Sequence, residues 1–292
     1  MSPLPERLLR LSIAHYKKPN ISDEEFHRWA TEEHCVRAAA IHAKHGVRTF
    51  DMLFSLKPAR DQVQELNERL GGKWTVDNHD VVVEFYVRDL AAVEGIINDP
   101  DFQKLQSEEA PWIDAERVPI GASLGWVEVY AEQGKVVNVT KDEKPAYGKL
   151  DLGVGNDVFQ TRDDHPSLQT RWSTYNVWSG TLHARHGVPQ YYQFFNPHRA
   201  HSATKELNTH MGGKWIIGNH DVQVEFYLRD LAQLTVVPED PEFKALQEEE
   251  AHSSAERIFL GWVEAYVQDK MAPARLSMWV LMEKRYYSIN MH

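Results

Sequence analysis

At 292 residues the chain is long enough for two ordinary domains, and 42% hydrophobic, 26% charged and 11% aromatic residues describe a folded globular protein rather than a disordered one. A formal net charge of −11, with Lys and Arg scattered among acids, opposes close approach to phosphate backbones or anionic lipid. The single cysteine, Cys35, excludes an intramolecular disulfide and any multi-cysteine metal site.

Pro3, Pro5 and neighbouring charges interrupt the stretch where a secretory signal needs an apolar run, and no segment reaches transmembrane length. The expectation is a cytosolic protein with no nucleic-acid or membrane partner. From the N-terminus, Leu8 to Tyr16 reads as a strand ending in a Lys-Lys-Pro turn. Ser22 with Glu25 three residues on forms a capping box, so a helix begins at Asp23. At 100° per residue Phe26, Trp29, Ala30, Glu33, Val36, Arg37 and Ala40 share one stripe, which places Glu33 within an otherwise apolar face and His34 at its margin. A second strand over Val47 to Ser55, a helix over Arg60 to Leu70, a third strand over Val81 to Val87, a short helix over Asp99 to Ser107 and a fourth strand over Leu124 to Ala131 follow.

The chain then repeats itself. Lys73 to Leu90 (KWTVDNHDVVVEFYVRDL) and Lys214 to Leu231 (KWIIGNHDVQVEFYLRDL) share 13 of 18 residues at an offset of 141. The same offset relates HAKHGV at His42 to HARHGV at His183, and DPDFQKLQSEEA at Asp99 to DPEFKALQEEEA at Asp240. The closing strands, GWVEVY from Gly125 and GWVEAY from Gly261, match at 136. The expected organisation is a first module at 7–132, a polar linker at 133–147, a second, degenerate module at 148–268 and a tail at 269–292 with no counterpart and no assigned role. A β-α-β-β-α-β order makes each module α+β and ferredoxin-like, with an antiparallel sheet carrying helices on one face. Packing the two uncovered faces together closes a single-chain barrel with a lumen, so the chain needs no partner copy and can act as a monomer.

Strand parity selects what enters that lumen. Val81, Val83, Phe85 and Val87 go to the helices; Asp80, Val82, Glu84 and Tyr86 share the other face, and in the fourth strand Trp126, Glu128 and Tyr130 alternate with Val127 and Val129. Carboxylates and large aromatics on one face suit a flat aromatic small molecule, although alternation on a one-sided sheet facing solvent produces the same pattern.

Tyr16, Lys17 and Lys18, the capped segment Ser22, Glu24, Glu25 and Phe26, and the Trp29, Glu33 and His34 element together resemble the EthD family, and GWVEVY resembles the last strand of its fungal branch. That resemblance implies a dimeric α/β barrel of ferredoxin-like modules with no metal or organic cofactor, and a role in polyketide pathways, decarboxylation of an anthrone-type carboxylic acid foremost. In the second copy Trp172 remains but Asn176 and its neighbours replace Glu33 and His34, so one full site is expected, around the first copy.

His34 is the first choice as acid/base because imidazole titrates near neutrality. Glu33 is a second proton donor or a partner orienting His34, with an ion pair to Arg37 one turn on as the structural alternative. Asp80 completes the catalytic candidates; Tyr16, Trp29, Glu84, Tyr86, Trp126 and Glu128 are the substrate-binding ones. A dehydratase, a cofactor-free oxygenase, a non-catalytic metabolite binder and an inactive duplicate remain open on the same residues. His42 and His45, like His183 and His186, stand before a glycine and read as helix C-terminal stabilisers rather than metal ligands.

Overall fold

The computed structural model describes residues 6, 8–55, 57–69, 71–72, 74–117, 120–142, 146, 177–195, 200–213, 215–218, 222–228, 233, 236–249, 253–268 and 277–286, the last two segments as backbone. The first half runs β1 (Leu8–His15), α1 (Asp23–Arg28), a π-helical turn (Trp29–His34), α2 (Cys35–Lys44), β2 (Thr49–Phe54), α3 (Lys57–Arg69), β3 (Thr75–Val76), β4 (Val81–Val87), α4 (Leu90–Ile97), α5 (Pro100–Ser107), β5 (Ile120–Glu132) and β6 (Lys135–Val136). The rest comprises α6 (177–185), β7 (Gln190–Phe195), α7 (Ala200–His210), β8 (Ile216–Ile217), β9 (Val222–Leu228), α8 (Pro241–Glu249), β10 (Ser253–Gln268) and β11 (Ser277–Tyr286). The strands expected in the first half are present, and the Ser22–Glu25 capping box forms in both directions. Helix α4, capped by Asp89, was not anticipated.

Strand pairing follows the order β1-β4-β2-β10-β11-β9-β7-β5, and β5 also pairs with β1, so the path of antiparallel pairings returns to its start. Such closure leaves none of these eight strands with an open edge. Within the ring the halves join at β2 with β10 and at β5 with β7, and the parallel pairs β3 with β10 and β8 with β5 join them again off the ring. The tail assigned no role in the sequence forms β11, between β9 and β10. Met278 there lies opposite Leu228, as Leu9 of β1 lies opposite Val87 in the first half. By register, therefore, β11 occupies in the second half the slot that β1 fills in the first.

The halves also exchange arms. Ala59, Val63, Trp74 and Val76 of α3 and β3 pack into the core around Tyr191 and Phe226, whereas Ala203, Leu207 and Trp215 of α7 and β8 pack against the core around Leu11 and Phe50. Each arm is pinned by the same clamp: Asn67 Nδ2 donates to Trp74 O at 2.7 Å, and Asn208 Nδ2 to Trp215 O at 2.9 Å. The histidines before the glycines repeat as well, His45 to Asp99 at 2.7 Å and His186 to Asp240 at 2.6 Å, tying the end of α2 to the start of α5 and the end of α6 to the start of α8.

Both faces of the ring carry buried apolar side chains. Leu9, Leu11, Ile13, Val81 and Val87 pack outward beneath the helices, while Ala14, Leu53, Val82, Tyr86, Val127, Val129, Tyr192, Phe194 and Tyr227 form the inner core. Among the described residues these side chains pack against one another where the sequence predicts a ligand lumen. At its centre Arg10, fully buried, pairs with Glu84 at 3.0 Å and with Glu225, also bonds Gln223, and lies 3.9 Å over the Phe194 ring. Asp51 lies directly opposite Glu84, and burial together with that neighbour pushes its carboxyl well up. One guanidinium thus bridges strands β4 and β9 of the two halves.

Candidate functional site

The chemistry-bearing side chains gather outside the ring, where Phe26, Trp29 and Ala38 pack in one core with Ile13 of β1. The π-helical turn decides which residues reach it. Cys35 N–H donates to Ala30 O, five residues back, which inserts one residue into the helical phase. Phe26, Trp29 and Ala30 are buried as the periodicity predicts, but after the turn the buried positions are Cys35, Ala38 and His42. The slip turns Glu33 outward to solvent, contrary to its predicted place in the apolar stripe, and brings His34 inward. Arg37 pairs with Glu108 at 2.5 Å, not with Glu33.

His34 Nε2 lies 3.4 Å from Glu109 Oε1, with side chains 14% and 25% exposed. Burial, with Arg37 nearby, lowers the His34 imidazole to about 4, so it is neutral at neutral pH. Burial alone pushes the Glu109 carboxyl up to about 7. A neutral base therefore faces a carboxyl that still holds its proton up to neutrality. The Trp29 ring lies 4.9 Å from that of His34, and Trp112 stacks on Trp29 at 5.0 Å and 6°.

Glu109 and Trp112 belong to a strap, residues 108–117, that follows α5 and is laced to the chain beyond β1. Lys18 N–H donates to Trp112 O at 2.9 Å, Asp114 N–H to Tyr16 O at 2.8 Å, and Lys17 bridges Ile113. His15, on the helix-facing parity of β1, is lowered to about 4 by burial and by the nearby charges of His34 and His79. His79 in turn lies 3.0 Å from Asp77. Among the described residues no group of three His, Cys, Asp or Glu side chains is arranged to hold a metal ion.

The other sequence candidates divide by location. Tyr16 is buried beside the strap, its hydroxyl 3.0 Å from Asn78 Oδ1 and its ring 3.7 Å beneath the Arg117 guanidinium. Asp80 serves as a brace: Arg60 meets one oxygen at 3.0 Å and Lys17 N–H donates to the other at 3.0 Å. Glu84 and Tyr86, hydrogen-bonded to each other at 3.0 Å, are buried inside the ring. Trp126 lies opposite Leu9 and shares its helix-side core, so it leaves the face on which parity had grouped it with Glu84. The Glu128 side chain lies outside the described set; its backbone pairs with Gln193.

Sequence reasoning missed His15, Glu109 and Trp112. Glu109 was hidden because its repeat counterpart, Glu250, belongs to a run of three glutamates that reads as a solvated face. Trp112 did carry a signal: the repeat ends just before it, and Ser253 stands at its counterpart position.

An antiparallel ring with helices outside and an acid and a base set between helix and sheet defines an α+β protein with a candidate acid–base site. Within that class the chain belongs to the EthD family, whose domain matches residues 18–116. A protein of Aspergillus terreus named "Putative oxygenase" is 41% identical over 158 residues, which are 53% of this chain and 97% of the relative. The "Conidial pigment biosynthesis dehydratase EthD" of Metarhizium robertsii is 25% identical over 138 residues, 47% of this chain and 94% of that protein. "Dehydratase aurZ" of Gibberella zeae is 25% identical over 134 residues, 46% and 86% of the two chains. No solved structure matches. No helix among the described residues is long and apolar enough to cross a membrane.

Proposed function

We propose that the chain is a lyase that eliminates water from a flat aromatic hydroxyketone of the polyketide type, with His34 as base and Glu109 as acid. The observation that carries this reading is the 3.4 Å pairing of a neutral imidazole, next to the Trp29 ring, with a protonated carboxyl. Elimination needs both partners at once. His34 Nε2 takes the proton from the carbon next to the carbonyl, the new double bond forms as the β-hydroxyl leaves, and the Glu109 proton goes with it as water. Imidazolium and carboxylate then stand side by side, and proton transfer between them restores the starting pair. The dehydratase names of the Metarhizium and Gibberella relatives support this reaction class.

Decarboxylation of an anthrone-type carboxylic acid uses the same pair, with Glu109 donating to the carbonyl oxygen that receives the electrons and His34 relaying a proton to carbon. Oxygenation is the alternative favoured by the name of the Aspergillus relative. The site residues work without a metal or organic cofactor in each case.

We further propose that the ring is an intrachain barrel of two duplicated modules, which lets the chain act as a monomer in the cytosol. The 13-of-18 repeat, the recurring Asn–Trp and His–Asp clamps, and relatives spanned almost whole by about half of this chain support it. The test is to incubate the purified chain, under nitrogen and in air, with a β-hydroxytetralone and with an anthrone carboxylic acid, and to weigh the products. Loss of water supports the proposal. Loss of carbon dioxide or gain of oxygen replaces it with one of the other reactions, and binding without change makes the chain an accessory protein.

A further inference from the structure

We propose that Trp112 is a side-chain gate: its indole occupies the stacking position on Trp29 that a flat aromatic ligand takes, and the ligand enters by displacing it. This inference rests on the reading of the His34–Glu109 site as one for a flat aromatic molecule. Trp29 is the aromatic surface next to the pair, 4.9 Å from the His34 ring and only 7% exposed, and its partner across the stack is a ring of the chain itself. The two indoles are nearly parallel, at 6°, the geometry a planar ligand would adopt there.

The backbone around Trp112 is held by hydrogen bonds, whereas its side chain is held by packing on Trp29 and the core beside it. Its carbonyl accepts from Lys18 N–H at 2.9 Å and its own N–H donates to Glu109 O at 2.8 Å, while Glu108 beside Glu109 is held by Arg37 at 2.5 Å. Among the described residues the indole N–H has no hydrogen-bond partner, and the side chain is half-buried. A rotation about the Trp112 side-chain bonds therefore uncovers Trp29 without moving Glu109. Stacking is what holds the gate shut, and a ligand ring that replaces it restores what the rotation loses.

The experiment is calorimetric titration of the full-length chain with 2-naphthol, a flat uncharged phenol, comparing wild type with Trp112→Ala, Trp112→Phe and Trp29→Ala. A gate competes with ligand, so Trp112→Ala binds about 3- to 10-fold more tightly than wild type, Trp112→Phe falls between them, and Trp29→Ala loses binding. Equal or weaker binding by Trp112→Ala makes Trp112 a wall of the site and overturns the gate, while the site reading stands. If Trp112→Ala does not fold, Trp112→Phe decides on the same sign. Absence of binding to wild type and both Trp112 variants overturns the aromatic site itself, and the gate with it.

Discussion

Glu109 Oε1 stands 3.4 Å from His34 Nε2 although the two come from unconnected elements, a strap after α5 and a π-helical turn before α2. Each is positioned by its own surroundings. His34 turns inward because the π turn shifts the helical phase, and Glu109 is held by Trp112 and Ile113 N–H groups donating to its carbonyl and by Arg37 on the preceding glutamate.

The pair sets a pH window. His34 must be neutral, which holds above about 4, and Glu109 must carry its proton, which holds below about 7. The pH profile of kcat/KM is therefore expected to rise through about 4, level off and fall above about 7. In Glu109→Gln the upper limb should vanish, because the amide has no proton to lose.

Arg10 bridges Glu84 and Glu225 in the ring interior. Replacing it by methionine leaves buried carboxylates without a cation and should cost about 3–5 kcal/mol in denaturant unfolding. Adding Glu84→Gln and Glu225→Gln should recover much of that loss. An Arg10→Met variant as stable as wild type would show that the bridge does not join the halves.

His42 is buried against Phe50 and Phe85 with neither ring nitrogen hydrogen-bonded among the described residues, and burial lowers it to about 3. The unfolded chain takes up a proton near 6.5 that the folded chain refuses until about 3, so stability is complete above 6.5 and declines as pH falls through that window. His42→Leu should make the acid side of a stability-against-pH curve shallower by one proton, about 1.4 kcal/mol per pH unit. His15, lowered to about 4, should retain its own share.

Removing β11 by ending the chain at Gln268 leaves β9 and β10 each with an unpaired edge. The truncated chain should lose cooperative thermal unfolding and aggregate or self-associate through those edges. A monomer with an unchanged melting curve would mean that the ring does not need its last strand.

Much of the fold was legible because its signals are local. The Ser22–Glu25 capping box, the alternation over Val81–Val87 and the Asp99-Pro100 helix start each fix an element by short-range chemistry. The register of β5 was not legible, since both faces of the ring bury apolar side chains and hydrophobicity alone cannot say that Trp126 goes with Leu9. Glu33 was misplaced because a one-residue π insertion leaves no trace in composition yet rotates all that follows. His34 was found by type and by resemblance; its partner was not, because the strap meets it only through tertiary packing. The role of β11 is equally invisible locally, since nothing in RLSMWVLMEKRYY says that it pairs between β9 and β10.

The most direct test of the acid–base account is single-turnover loss of water from a β-hydroxytetralone by wild type, His34→Ala, Glu109→Gln and Glu33→Gln. His34→Ala and Glu109→Gln are each expected to slow the step by about 10²- to 10⁴-fold, while Glu33→Gln, at a solvent-exposed position, leaves it unchanged. Turnover that survives in both His34→Ala and Glu109→Gln, or that falls only in Glu33→Gln, would contradict it.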